Sequence, residues 1–183
     1  MRARAPLANG SAPISIVLSA LARQVPAGAE LAIVITARNL SSAAIRIIGV
    51  VDGAEAGARF PKWVPHVVGP KGRLSGPETP DFTSPLRPAD FRLLEAGQSF
   101  DPTDPVDGAS YFPITTFAHV TEEPGDYALS LELSTEAPSA AAWLGTLPDR
   151  RPQAQSDAEH VTRLLTDVPR LHLRSNTLNV KVI

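Results

Sequence analysis

A chain of 183 residues with 43% apolar content can bury a core of its own, so it needs no disulfide or metal staple. Cysteine is absent, which excludes a disulfide framework, a thiolate metal centre and a cysteine nucleophile. With 17 basic and 19 acidic residues the formal charge is −2, and no run of like charge occurs, so the footprint of a nucleic-acid binder is missing.

The N-terminus has a basic start and a short apolar stretch, as a secretion signal would. Pro6, Gly10 and Pro13 interrupt that pattern, and Ile14, Ile16, Leu18 and Ala20 alternate with Ser15 and Ser19. That period predicts a first β-strand, and the stretch falls short of the roughly 20 apolar residues a bilayer span needs. A second strand follows, with Leu31, Ile33 and Ile35 on one face and Thr36 and Arg38 on the other. Asn39, Ser41 and Ser42 predict a turn, because their side chains can bond nearby backbone groups. A β-branched run over 45–50 predicts a third strand.

Over 51–113 the pattern loosens. Ten of the 18 prolines fall there, which predicts a loop-rich, Pro-rich insertion containing an irregular strand near 60–72 and a short one at 91–94. A strand is expected at 114–120. The Pro124-Gly125 turn then leads into Tyr127, Leu129, Leu131 and Leu133, alternating with Ser130 and Glu132, which is the period of a half-buried strand. A helix is expected at 157–167: Ser156 and Glu159 form a capping box, Val161, Leu164, Leu165 and Val168 mark one face, and Pro169 stops it. Leu178, Val180 and Val182 make the last strand, whose alternation slips at Ser175-Asn176 and predicts a bulge.

Seven or more short strands with dense turns predict a single all-β domain over 1–183, an immunoglobulin-like antiparallel β-sandwich with one short helix before the last strand. The corner Pro124-Gly125-Asp126-Tyr127 resembles the tyrosine corner of such sandwiches, which implies a structural latch at Tyr127. The series from Arg38-Asn39-Leu40-Ser41, through Gly97-Gln98-Ser99, to Pro124-Gly125-Asp126-Tyr127 resembles bacterial immunoglobulin-like and fibronectin III-like domains. Among them it is similar to the intracellular proteinase inhibitor type. The likeness lies in scaffold residues, and the Pro-rich segment and the helix depart from it. It implies a fold and no activity.

Motifs that carry chemistry are missing. His66, His119, His160 and His172 have no zinc spacing, and there is no nucleophile elbow, P-loop or dinucleotide fingerprint. Asp101, Asp104 and Asp107 recur at every third position, as calcium ligands might be spaced, but no Glu closes the set and ordinary turn chemistry is the plainer reading. No cofactor is expected. All ten aromatic residues lie between Phe60 and Trp143, seven of them in 60–112. So many rings in a loop-rich region form either a satellite core or a recognition surface. Trp63, Phe82 and Trp143 are the candidate binding residues.

The expected function is therefore a non-enzymatic protein-binding or assembly module, with the Pro-stiffened 77–88 segment as an inhibitory loop in its most specific version. A carbohydrate-binding domain using Trp63 and Trp143, or an enzyme whose site is assembled from distant residues, are the alternatives. A protein partner is expected, with no nucleic acid and no membrane span. Lack of cysteine favours the cytoplasm, with export the alternative.

Overall fold

The computed structural model describes residues 12–104, 108–145 and 155–183, with side chains in the helix described from residue 158. Among the described residues the chain is predominantly β, with one short helix near its C-terminal end. In order come β1 (Ile14–Ala20), β2 (Gln24–Val25), β3 (Ile33–Asn39), β4 (Ile45–Ile48), β5 (Lys62–Gly69), β6 (Gly72–Arg73), β7 (Phe91–Leu94), β8 (Ser99–Phe100) and β9 (Gly125–Ser134). Helix α1 (Gln155–Leu165), β10 (His172–Arg174) and β11 (Leu178–Val182) complete it.

Three open sheets result. The largest has the order β2-β11-β9-β5-β6, with β10 also paired to β9; a second has the order β1-β3-β8; β4 pairs with β7 alone. All pairs are antiparallel except β2 with β11. The first two strands are neighbours in sequence yet belong to different sheets.

Strand β9 lies at the centre of the large sheet. Tyr127, Leu129, Leu131 and Leu133 point inward and are almost wholly buried. From the small sheet Ile14, Ile16, Leu18, Ile35 and Ala37 join the same core cluster. Burying side chains of this size contributes on the order of 1.5–3 kcal/mol each, which is why strict alternation is so strongly expressed at β1 and β9. Pro65 sits inside β5 opposite Leu131. Beyond β5, β6 pairs only at Val68 and Gly69, so at Pro65 the other side of β5 has no strand partner and its missing N–H breaks no ladder.

The bulge at Ser175-Asn176 is present. Arg174 pairs with Glu132, but Leu178 pairs with Leu129, so three residues of one strand oppose two of β9. The extra residue is used. The Ser175 hydroxyl accepts from the Leu131 N–H at 2.9 Å. The Asn176 amide accepts from the Leu18 N–H at 2.8 Å and donates to the Leu18 carbonyl at 3.0 Å, tying the edge of β1 to the other sheet.

Two expectations are corrected. The 114–120 segment is a 3-10 helix, Thr115–Thr121, and not a strand. The Glu55 carboxylate accepts from the backbone N–H and the hydroxyl of both Thr115 and Thr116, at 2.6–2.9 Å, which holds the first turn closed. A carboxylate satisfying the free N–H groups at a helix start is favourable, and one 60 residues away leaves no local signature. Helix α1 spans Gln155–Leu165 where 157–167 is expected, because a tighter i→i+3 turn takes over at Thr166–Val168, just before Pro169. The Ser156 half of the expected capping box lies outside the described side chains. The 51–113 stretch supplies four strands, β5 to β8, and β5 flanks β9 over seven paired positions.

The Tyr127 hydroxyl donates to the Glu123 carbonyl at 2.9 Å, and its ring lies so close to Gly69 that a Cβ there would sit 2.5 Å from it. Removing that hydroxyl with Tyr127→Phe is expected to cost about 1 kcal/mol in denaturant melts. Asn176→Ala strands both backbone groups of Leu18 and is expected to cost about 2 kcal/mol. Asn176→Asp keeps the acceptor but loses the donor, and a stability matching wild type would show that the two sheets do not depend on this contact.

Candidate functional site

Eight of the ten rings are buried. Trp63 projects inward from β5, has no exposure, and donates its indole N–H to the Ile48 carbonyl at 3.3 Å. Trp143 is also buried and packs its ring 5.9 Å from that of Phe60. Of the three residues singled out in the sequence, Phe82 alone stands in solvent, 51% exposed, and Phe112, unnoticed there, is 43% exposed. Burial of the others follows from register and long-range packing, which alternation within one segment cannot report.

Phe112 lines a surface cleft of about 320 Å³ with Val50, Pro77, Pro80 and Pro113, and Phe82 lies two residues beyond Pro80. The Pro-rich segment on this side has no regular secondary structure between Arg73 and Pro88, yet it is pinned from beneath. Thr83 and Leu86 are buried. The Ser84 N–H and hydroxyl both donate to Asp52, at 2.8 and 3.1 Å. Arg59, buried, donates through Nη1 to the Ser84 carbonyl, while its Nε and Nη2 have no hydrogen-bond partner. Burial pushes the Arg59 guanidinium down to about 10, against the opposing pull of Asp52 and Asp90. At the far end Asp90, itself buried, accepts from the Arg87 N–H at 2.7 Å and from the Ser110 N–H at 3.2 Å. The segment is held by polar groups at several points along its length.

These carboxylates are engaged by donors from the chain's own loops. Asp101 is likewise turned inward on its own loop, accepting from the N–H and hydroxyl of Thr103 at 2.8 and 2.6 Å. Its expected companion Asp107 lies outside the described residues. Among the described residues no group of three or more His, Asp or Glu side chains is arranged to hold a metal ion.

A second polar cluster has no signature in any single stretch of sequence. On the outer face of the large sheet, His66 and His172 bond opposite oxygens of Glu132, at 3.1 and 2.9 Å. Arg73 donates to His66 Nδ1 at 2.7 Å. A guanidinium can only donate, so this bond requires the His66 proton to be on Nε2, where it faces Glu132. Arg174 donates to the Ser130 hydroxyl at 3.0 Å on the same face. Burial pushes the Glu132 carboxyl up, but the bonds from His172 and His66 outweigh it and hold the group below its usual range.

No protein-family model matches the chain, and no curated protein or solved structure shows significant similarity to it. Among the described residues no helix is long and apolar enough to cross a membrane.

The depressed Glu132 carboxyl links stability to pH. A group whose folded value lies below its unfolded value contributes fully above the unfolded value, and that contribution is lost as pH falls through the folded one. Glu132→Gln is therefore expected to narrow the gap in melting temperature between neutral pH and pH about 3, relative to wild type. Identical acid limbs in the two proteins would mean the His66–Glu132–His172 contact contributes nothing to folding.

Proposed function

We propose that the chain is a non-enzymatic protein-binding module on an immunoglobulin-like antiparallel sandwich. The strand order supports the sandwich: this reading sets β2-β11-β9-β5-β6 against β1-β3-β8, with the first strand divided between the layers. The Tyr127 hydroxyl turned back onto Glu123 is the bond a tyrosine corner makes.

The observation that carries the binding reading is the exposure of Phe112 in the 320 Å³ cleft and of Phe82, two residues beyond its Pro80, on a segment whose backbone is held by Asp52, Arg59 and Asp90. Preorganised backbone lowers the ordering cost of binding, and exposed aromatic rings are the usual anchors. Glu78 and Asp81 are exposed on the same segment, so the occupant is an apolar peptide segment carrying a basic residue. The carbohydrate alternative needs Trp63 and Trp143 as stacking platforms, and both rings are buried. An enzyme needs free titratable groups converging in a cleft, whereas Asp52 and Glu55 beside this one are committed to backbone and hydroxyl donors.

The test is capture of the partner on the tagged chain from native cells, identification by mass spectrometry, and titration of the purified pair. Phe82→Ala and Phe112→Ala are each expected to weaken binding about thirty-fold, equivalent to about 2 kcal/mol, with melting temperature unchanged. Trp63→Ala should do the opposite, losing about 3–5 kcal/mol of stability. Wild-type affinity in both Phe variants would defeat the assignment.

A further inference from the structure

The solvent face of the large sheet concentrates positive charge on a chain whose net charge is −2. Outward positions follow from the register: Lys62, Val64 and His66 on β5, Arg73 on β6, Ser130, Glu132 and Ser134 on β9, and His172 and Arg174 on β10. Lys62, Ser134 and His172 share one cross-strand row, and Val64, Glu132 and Arg174 share the next. Among these residues two guanidiniums, one ammonium and two imidazoles surround a single carboxylate; further along the same face Asp126 of β9 stands opposite Lys181 of β11. Lys62 is drawn over the Phe60 ring, 4.9 Å from its centre, which leaves Arg73 and Arg174 as the two permanently charged forks facing solvent.

The hydrogen bonds indicate what the array lacks. Arg73 uses one donor on His66 Nδ1 and Arg174 one on Ser130, both neutral acceptors, and each guanidinium has five donors. Glu132 is occupied by the two imidazoles and forms no ion pair with either arginine. An arginine fork matched to a neutral acceptor is an incomplete contact, since its stronger partner is a carboxylate bound bidentately. Arg73 lies in the row of Val68 and Arg174 in that of Val64, on opposite sides of the β5–β9 pair, but their side chains converge on the paired residues His66 and Ser130. The face carries no aromatic ring among its outward residues, so it has no platform on which bases would stack.

We propose that this face is a second docking surface and takes an extended acidic segment of a partner protein, with its carboxylates received by Arg73 and Arg174. It lies on strands and uses neither Phe82 nor Phe112, so it does not depend on that site. The experiment is titration of the full chain with a hexaglutamate peptide at low and at physiological salt. Binding that weakens as salt rises is expected, as is a loss of about ten-fold in Arg73→Gln/Arg174→Gln, the scale of two partly screened ion pairs. Phe82→Ala should bind the peptide as wild type does, which separates failure here from failure at the cleft. If the double variant melts early, Arg73→Gln alone carries the test, because that side chain is exposed and its one hydrogen bond is to His66. Absence of binding at low salt, equal affinity in folded variants, or tighter binding of an oligothymidylate of equal charge would overturn the proposal.

Discussion

The contact on which this structure most depends is the one between Asn176 and Leu18. A bulge in a strand beside β9 leaves one residue without a ladder position, and that residue reaches out of its own sheet to satisfy both polar groups of Leu18. Edge strands expose rows of unpaired N–H and C=O groups that must find partners or solvent. Here part of the β1 edge is paired by a side chain whose backbone belongs to the large sheet. The two sheets are then joined by directional bonds, as well as by the non-directional burial of the core cluster they share. Ser175 repairs the local damage by accepting from Leu131, so the bulge leaves β9 with no orphaned N–H at that point.

Much of this could be read in the sequence, wherever the deciding physics was local. Period-two alternation located β1, β3, β9 and β11, since a one-residue slip would turn every inward side chain outward. The slip at Ser175-Asn176 was visible as a break in that alternation. Asn39 predicted a turn, and its Oδ1 does accept from the Ser41 N–H at 2.8 Å. What could not be read was its other half: Nδ2 donates to the carbonyls of Leu94 and Glu95, joining the end of β3 to the strand after the Pro-rich segment. The same division explains the misread 114–120 segment. Its local pattern suits a strand, and a glutamate from a distant loop decides otherwise.

The aromatic residues show a different limit. Their crowding into one region was correctly seen, but crowding does not distinguish a core from a surface. In KWVPHVVG, apolar side chains occur on both faces of β5, so nothing within the segment says that Trp63 points in while Val64 points out. Orientation is set by pairing with β9, through Trp63 opposite Leu133. The histidines show no motif spacing for the complementary reason. His66 and His172 are far apart in sequence and meet only because β5 and β10 flank the same strand, with Glu132 between them. Charge patterning along the chain misses such a face, because each strand contributes only one or two of its residues.

The Pro-rich segment poses the sharper physical question, which is why a loop should be fixed so firmly. Proline already restricts its backbone, and a cover over the core would need only apolar contacts such as Leu86. Instead a guanidinium is buried beneath it with two nitrogens lacking partners, and burial outweighs the attraction of Asp52 and Asp90 in shifting it. Leaving buried donors unpaired costs about 1–3 kcal/mol each. The bond from Arg59 to the Ser84 carbonyl sits two residues from Phe82, so the buried anchor and the exposed ring are close on one segment. Under the proposed binding reading, a backbone held in place beneath a half-exposed ring reduces the entropy lost when a partner buries that ring.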